Sequence, residues 1–232
     1  PTWIGRKPGP YKWYEIQDTV DYHQKFDGQK IIYAHFLNNP MFLLDASGIY
    51  ANNKAYIVPN AGYFELGLFI SKALWLVFTG LTTMVRGGFY EATTQNVETL
   101  PIPSATDAQK AELATLAESA QAAAEERYRL QQDITRRIPD LARGAAAKLT
   151  ERLKAWWDLP DFAAFQAEVK KAFKADIPLK ERNEWESWIS EARTAIHALT
   201  AKITALEAER NARVYALFDL TPDEIALLES SL

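Results

Sequence analysis

Two apolar seams at helical spacing fill most of the C-terminal half of this chain, and they limit its possible folds more than any other feature. Leu113, Leu116, Ala120, Ala123, Arg127, Leu130 and Ile134 alternate steps of three and four residues. Trp185, Ile189, Ala192, Ile196, Leu199, Ile203, Leu206 and Arg210 do the same. That period gathers side chains into one stripe per helix, and each stripe needs a partner surface. The first seam lies in a segment that opens at Thr106-Asp107 and is predicted to end at Ile138, before Pro139. Alanines at 105, 108, 111, 114, 117, 120 and 123 raise its helix propensity. Residues 141–156 and 161–174 are predicted to form two shorter helices. Chain reversal between the seams then predicts an antiparallel helical hairpin with the short helices at its tip.

Composition changes sharply near Pro103. Residues 1–103 hold 9 of the 10 glycines, 7 of the 11 prolines and 18 of the 28 aromatics, with 8 basic and 8 acidic residues. Residues 104–232 carry 18 basic and 22 acidic residues, which accounts for the whole formal charge of -4. Two domains are expected, 1–103 and 104–232. In the first, Tyr11-Lys12-Trp13-Tyr14-Glu15-Ile16 and Lys30-Ile31-Ile32-Tyr33-Ala34-His35-Phe36 are aromatic and β-branched runs that predict strands. Residues 41–44 and 55–58 read the same way, separated by the turn-forming runs Asp45-Ala46-Ser47-Gly48 and Asn52-Asn53-Lys54. Leu66, Phe69, Ile70, Leu74 and Phe78 predict a helix over 62–81, which Arg86-Gly87-Gly88 follows as a break. A short helix is expected over 94–99. The fold class is therefore α+β, a mixed domain followed by a coiled-coil-like hairpin.

Other features remove function classes. With no cysteine there is no disulfide scaffold, no thiolate metal site and no cysteine nucleophile. The longest apolar stretch, residues 63–78, is interrupted by Glu65 and Lys72 and is too short to span a bilayer. No secretory leader is expected ahead of it. These features predict a cytoplasmic protein without membrane partners. The chain opens at Pro1 rather than Met, so either a methionine was trimmed or a longer parent is expected. A net negative charge argues against a generic nucleic-acid coat protein.

Motifs for catalysis are formally present but unsuited to their chemistry. Pro160-Asp161 with Glu168-Val169-Lys170 fits the loose pattern of magnesium-dependent nucleases, whose carboxylates and lysine must converge on one metal. Asp161, Phe162, Phe165, Val169 and Phe173 have helical spacing, however, with Asp161 placed as an N-cap. Glu168 and Lys170 would then point about 160–200° apart. Asn38-Asn39-Pro40-Met41 lacks the second proline and the aromatic of an amino-methyltransferase turn, and no glycine-rich strand-to-helix turn offers a cofactor site. His23, His35 and His197 are isolated. Trp156, Trp157, Trp185 and Trp188 could stack on bases, but their helical spacing favours packing. The chain is thus expected to hold no catalytic residue, no metal and no cofactor of its own.

What remains is a recognition surface. Lys12, Asn38, Asn39, Asn52, Asn53, Lys54, Arg86 and Gln95 are polar or basic residues in turns, of the types that read major-groove edges or hold phosphates. Gly87-Gly88 beside Arg86 would allow close backbone approach to a partner. Ordinary loop chemistry is the alternative for each of these residues.

Several runs in this order carry a family likeness. Lys30-Ile31-Ile32-Tyr33, Phe42-Leu43-Leu44-Asp45, Gly48-Ile49-Tyr50, the segment Leu66-Gly67-Leu68-Phe69-Ile70-Ser71-Lys72-Ala73-Leu74-Trp75 and Leu100-Pro101-Ile102-Pro103 resemble the TaqI-like target recognition domain of type IIG restriction-modification enzymes. Trp156-Trp157, Glu184-Trp185 and Val214-Tyr215-Ala216-Leu217-Phe218-Asp219-Leu220-Thr221-Pro222 resemble the helical tail of the same family. The resemblance implies a DNA-reading module for double-stranded DNA. It implies a parent chain with an adenine-N6 methyltransferase domain that uses S-adenosylmethionine, and magnesium if a nuclease domain is also present. Base-reading residues vary across such a family, so none is carried over. A second reading, a non-enzymatic coiled-coil scaffold that binds protein, stays open.

Overall fold

The computed structural model describes residues 8–15, 21–142 and 148–231. Among these are eight α-helices and six β-strands, an α+β protein whose long helices lie in the C-terminal half. Two compact units are present, Pro1–Ala114 with Arg213–Leu232, and Thr115–Ala212. Their divisions fall inside the two longest helices, whereas the composition break lies at Pro103.

In the first unit, β1 (Lys30–Ala34) is the centre of an antiparallel sheet flanked by β3 (Phe42–Asp45) and β4 (Ala55–Pro59). Ile31 faces Leu44 and Val58, and Tyr33 faces Phe42 and Tyr56. Alternation along β1 sends Ile31 and Tyr33 into the core, both nearly inaccessible. Burial pushes the Tyr33 phenol up to about 12, opposed by a hydrogen bond with Thr94. Phe42 stacks on Phe69 of α1 (Tyr63–Phe69), which joins that helix to the sheet.

The predicted helix over 62–81 is two helices, α1 and α2 (Lys72–Leu81), bent by 62°. Ser71 makes the break. Its hydroxyl donates to the Leu68 carbonyl (2.6 Å) and accepts from the Leu74 amide (3.3 Å), acting as the N-cap of α2. The apolar spacing runs through the break, so periodicity alone does not register it. No single helix among the described residues is long and apolar enough to cross a membrane.

A second small antiparallel sheet holds β2 (Phe36–Leu37), β6 (Phe89–Glu91) and β5 (Met84–Val85), in that order. The hairpin of β5 and β6 occupies a stretch expected only to break a helix. Strands of two and three residues are too short to show a period of two. The predicted strand at Tyr11–Ile16 is a turn over its described part. The Glu15 amide donates to the Lys12 carbonyl (3.0 Å), and the Lys12 amide donates to the Glu15 carboxylate (2.8 Å). Ile16 lies outside the described residues. After the short α3 (Thr94–Val97) come the first turns of α4 (Asp107–Thr135). Near the C-terminus, α8 (Pro222–Ser230) starts at Thr221, whose amide and hydroxyl both donate to Glu224 (2.8 Å each). Glu229 of this helix receives hydrogen bonds from Lys72 and from the Tyr215 hydroxyl.

Over its described residues the second unit is helix, turn and loop without strand. Its core combines Ile134 of α4, Trp156, Phe165 and Val169 of α6 (Phe162–Phe173), and Ile189 and Ile196 of α7 (Arg182–Leu217). Arg127 donates to the Thr200 hydroxyl (3.3 Å), while Ile134 shares its core with Ile189 and Ile196. Rising numbers on α4 thus meet falling numbers on α7, the antiparallel sense expected from the seams. The helix predicted over 141–156 is not formed as such. Among the described residues of that stretch only α5 (Glu151–Lys154) is α-helical, opened by the Thr150 hydroxyl as N-cap, with 3-10 turns at Ile138–Ala142 and Trp156–Asp158. Residues 143–147 of that prediction lie outside the described residues.

Candidate nucleic-acid interface

Strand register decides which of the sequence-selected residues share a surface. The β2–β3 turn contains Asn38 and Asn39 and enters β3 at Phe42, opposite Tyr33. The turn with Asn52, Asn53 and Lys54 enters β4 at Ala55, opposite Ala34. Both turns therefore lie at the C-terminal end of β1. All five side chains are exposed. Asn52 shapes its own turn, accepting from the Lys54 amide through Oδ1 (2.9 Å), while the Ala55 amide donates to the Asn52 carbonyl (3.1 Å). Asn53 and Lys54 stand exposed on the turn that Asn52 shapes.

His35 links the two sheets at this same end. Its amide donates to the Lys54 carbonyl (2.9 Å) and its carbonyl accepts from the Ala92 amide (2.7 Å), so one residue passes the strand from β1 to β2. Its ring Nε2 lies 2.9 Å from the Glu91 carboxylate and stacks beside Phe36. The isolated histidine is thus a joint between sheets, as packing chemistry would have it.

Beyond His35, Phe36 faces Glu91 and Leu37 faces Tyr90. Continuing that register, Asn38 leaves the sheet at the level of Phe89, on the side where the β5–β6 turn holds Arg86. Gly87 and Gly88 have φ of +88° and +79°, backbone that L side chains rarely adopt, which explains the glycine pair. Arg86 is exposed at this tip. Six of the candidates, Asn38, Asn39, Asn52, Asn53, Lys54 and Arg86, thus lie on turns linked through His35 and β2.

The other two are elsewhere. Gln95 lies in α3, past the Glu91 end of β6, away from the Arg86 turn. Lys12 sits in the turn at residues 12–15, its ammonium 5.7 Å from the centre of the Tyr14 ring. Glu91 is the acidic neighbour of His35 at this end, and two further carboxylates lie at the opposite end of β1. There Asp45 is held by buried Lys30 (2.5 Å), and Asp27 accepts from the Tyr50 hydroxyl (2.7 Å).

Apolar side chains escaped the sequence selection. Phe36, Met41, Met84 and Phe89 are exposed around the same turns, Met41 at 60 % and Met84 at 57 %. Such residues count as core candidates by type, and strands this short give no alternation to say otherwise.

The nuclease-like trio is occupied with structure. Asp161 accepts from the Ala164 amide (2.8 Å) as the N-cap of α6. Glu168 is buried and held by Arg152 (3.0 Å), Lys171 (3.5 Å) and the Thr150 hydroxyl (3.4 Å), whereas Lys170 is exposed. Among the described residues no group of three or more His, Asp or Glu side chains is arranged to hold a metal ion.

Residues 106–214, a little under half of the chain, match the family model of a domain of unknown function, DUF8810. No curated protein and no solved structure matches the chain.

Proposed function

We propose that this chain is a sequence-specific DNA recognition module of a restriction-modification enzyme. It acts in the cytoplasm on double-stranded DNA, and it positions a target adenine for N6 methylation by a methyltransferase domain of the same parent. S-adenosylmethionine, and magnesium where the parent cleaves DNA, belong to those other domains. The observation that carries the reading is the shared end of the sheets. Four asparagines, one lysine and one arginine stand exposed on turns that strand register links. Asparagine pairs with adenine N6 and N7, arginine with guanine O6 and N7, and lysine holds phosphate. The glycine pair at the tip lets backbone approach base edges closely.

Fluorescence anisotropy with labelled duplexes tests the reading. The full chain should bind, with log affinity falling by roughly 0.9 per phosphate neutralised for each unit of log salt. Lys54→Ala should weaken binding to all sequences and flatten that slope. Binding to no duplex at low salt would remove the proposal.

The scaffold reading retains one observation of its own. The matched family region, residues 106–214, covers the whole of the helical unit and none of residues 1–103. A helical unit shared without a recognition domain would fit a scaffold, and the same anisotropy experiment separates the two.

A further inference from the structure

The second unit carries an open groove of about 370 Å³, lined by Arg137, Asp140, Glu184, Trp185 and Trp188. The two indoles follow one another three residues apart on α7, with ring centroids 5.4 Å apart and planes inclined by 47°. Trp185 has an evident structural task, since it stacks on the fully buried Phe165 and packs against the core. Trp188 does not share that burial and is 39 % exposed. Ile189, Ala192 and Ile196 already supply the buried stripe of this part of α7. An indole at 188 therefore adds a large aromatic face to solvent.

The groove pairs that face with negative charge. Glu184 and Asp140 line it against a single guanidinium, Arg137, which stands 3.7 Å from Asp140. An aromatic face attracts cations through its quadrupole, and tryptophan does so best. A carboxylate beside it accepts N–H hydrogen bonds. A guanidinium satisfies both at once, because it is planar, weakly hydrated, stacks on rings and presents a fork of donors. A lysine ammonium offers a point charge that holds its water, and an anionic ligand such as nucleic acid is repelled by the carboxylates.

We propose that this groove docks an arginine side chain of a partner polypeptide, stacked on the exposed face of Trp188 and donating to Glu184. The site shares no residue with the sheet-end turns and stands or falls independently of the DNA-reading proposal.

Anisotropy of fluorescein-labelled hexa-arginine and hexa-lysine peptides, titrated with the full chain at moderate salt, tests the proposal. Both carry the same charge, so simple attraction to acidic helices treats them alike. Hexa-arginine should bind about tenfold more tightly. Trp188→Ala should abolish that preference, Trp188→Phe should keep part of it, and Glu184→Gln should weaken hexa-arginine binding. Circular dichroism checks that the helices persist in each variant. Equal affinity for the two peptides, no binding of either, or an arginine preference that survives Trp188→Ala would overturn the proposal. If Trp188→Ala misfolds, unchanged hexa-arginine binding by Glu184→Gln has the same force.

Discussion

Lys30 and Asp45 form an ion pair of 2.5 Å between neighbouring strands, with both side chains almost wholly buried. Burial by itself would raise the Asp45 carboxyl. Hydrogen bonds from Lys30, the Ser47 amide and hydroxyl and the Ile49 amide outweigh it and hold the group well below the usual carboxylate range. Lys30 also donates to the Phe26 carbonyl (2.7 Å), so the charges tie the segment before β1 to the loop after β3. Asp45→Ala leaves a buried ammonium unpaired and should cost about 3–5 kcal/mol. A urea denaturation series measures it.

The same pair sets a pH dependence of known sign. A carboxyl whose folded pKa is depressed favours the folded state when ionised. Its contribution is complete above the ordinary value of 3.8 and is lost progressively as pH falls from there through the folded pKa. Acid unfolding of the wild-type chain should therefore be steeper in this range than that of Asp45→Asn. Circular dichroism across pH 2–5 is the measurement, and parallel curves would show that the pair is not the responsible group.

Gly67 of α1 lies against Leu113 of α4. A Cβ built on Gly67 would stand 2.8 Å from Leu113 Cγ, and Leu113 has no exposure. Alanine is intrinsically a better helix former than glycine by about 1 kcal/mol. The crowding should exceed that, leaving Gly67→Ala destabilised by about 1–2 kcal/mol. In a Leu113→Ala background the penalty should vanish, a coupling that a double-mutant cycle reads directly.

Asp161 and Glu168 separate structural from catalytic duty. Loss of the N-cap in Asp161→Ala should cost about 1 kcal/mol, and Asp161→Asn should cost less because asparagine also caps well. Glu168→Ala opens buried space and frees Arg152 and Lys171, whose side chains are exposed and stay solvated, so the cost should be about 1–2 kcal/mol. Thermal melts provide both numbers. Incubation of the wild-type chain with duplex DNA and magnesium should give no cleavage that depends on Asp161.

These elements differ in how far the sequence revealed them. The helices α4, α6 and α7 were readable because their apolar spacing persists over many turns. The three strands of the first sheet were readable because each run is bounded by turn residues. Ser71 splits a helix without disturbing the apolar period, although serine at a helix start is itself a capping signal. Beyond residue 148 the predicted helix gives way to a single α-helical turn opened at the Thr150 cap, followed by a 3-10 turn. At the candidate interface the residue types were readable and their grouping was not. Grouping depends on His35 passing the strand between sheets, and nothing local to Asn38 or Arg86 announces that hydrogen bonding.

The central claim is that the sheet-end turns read DNA sequence, and selection from a randomised duplex pool tests it most directly. The wild-type chain should enrich one defined motif. Arg86→Ala should lose about 1–3 kcal/mol of discrimination at one position, and Asn52→Ala with Asn53→Ala should relax others. Recovery of no motif, or of an unchanged motif by the variants, would contradict the account.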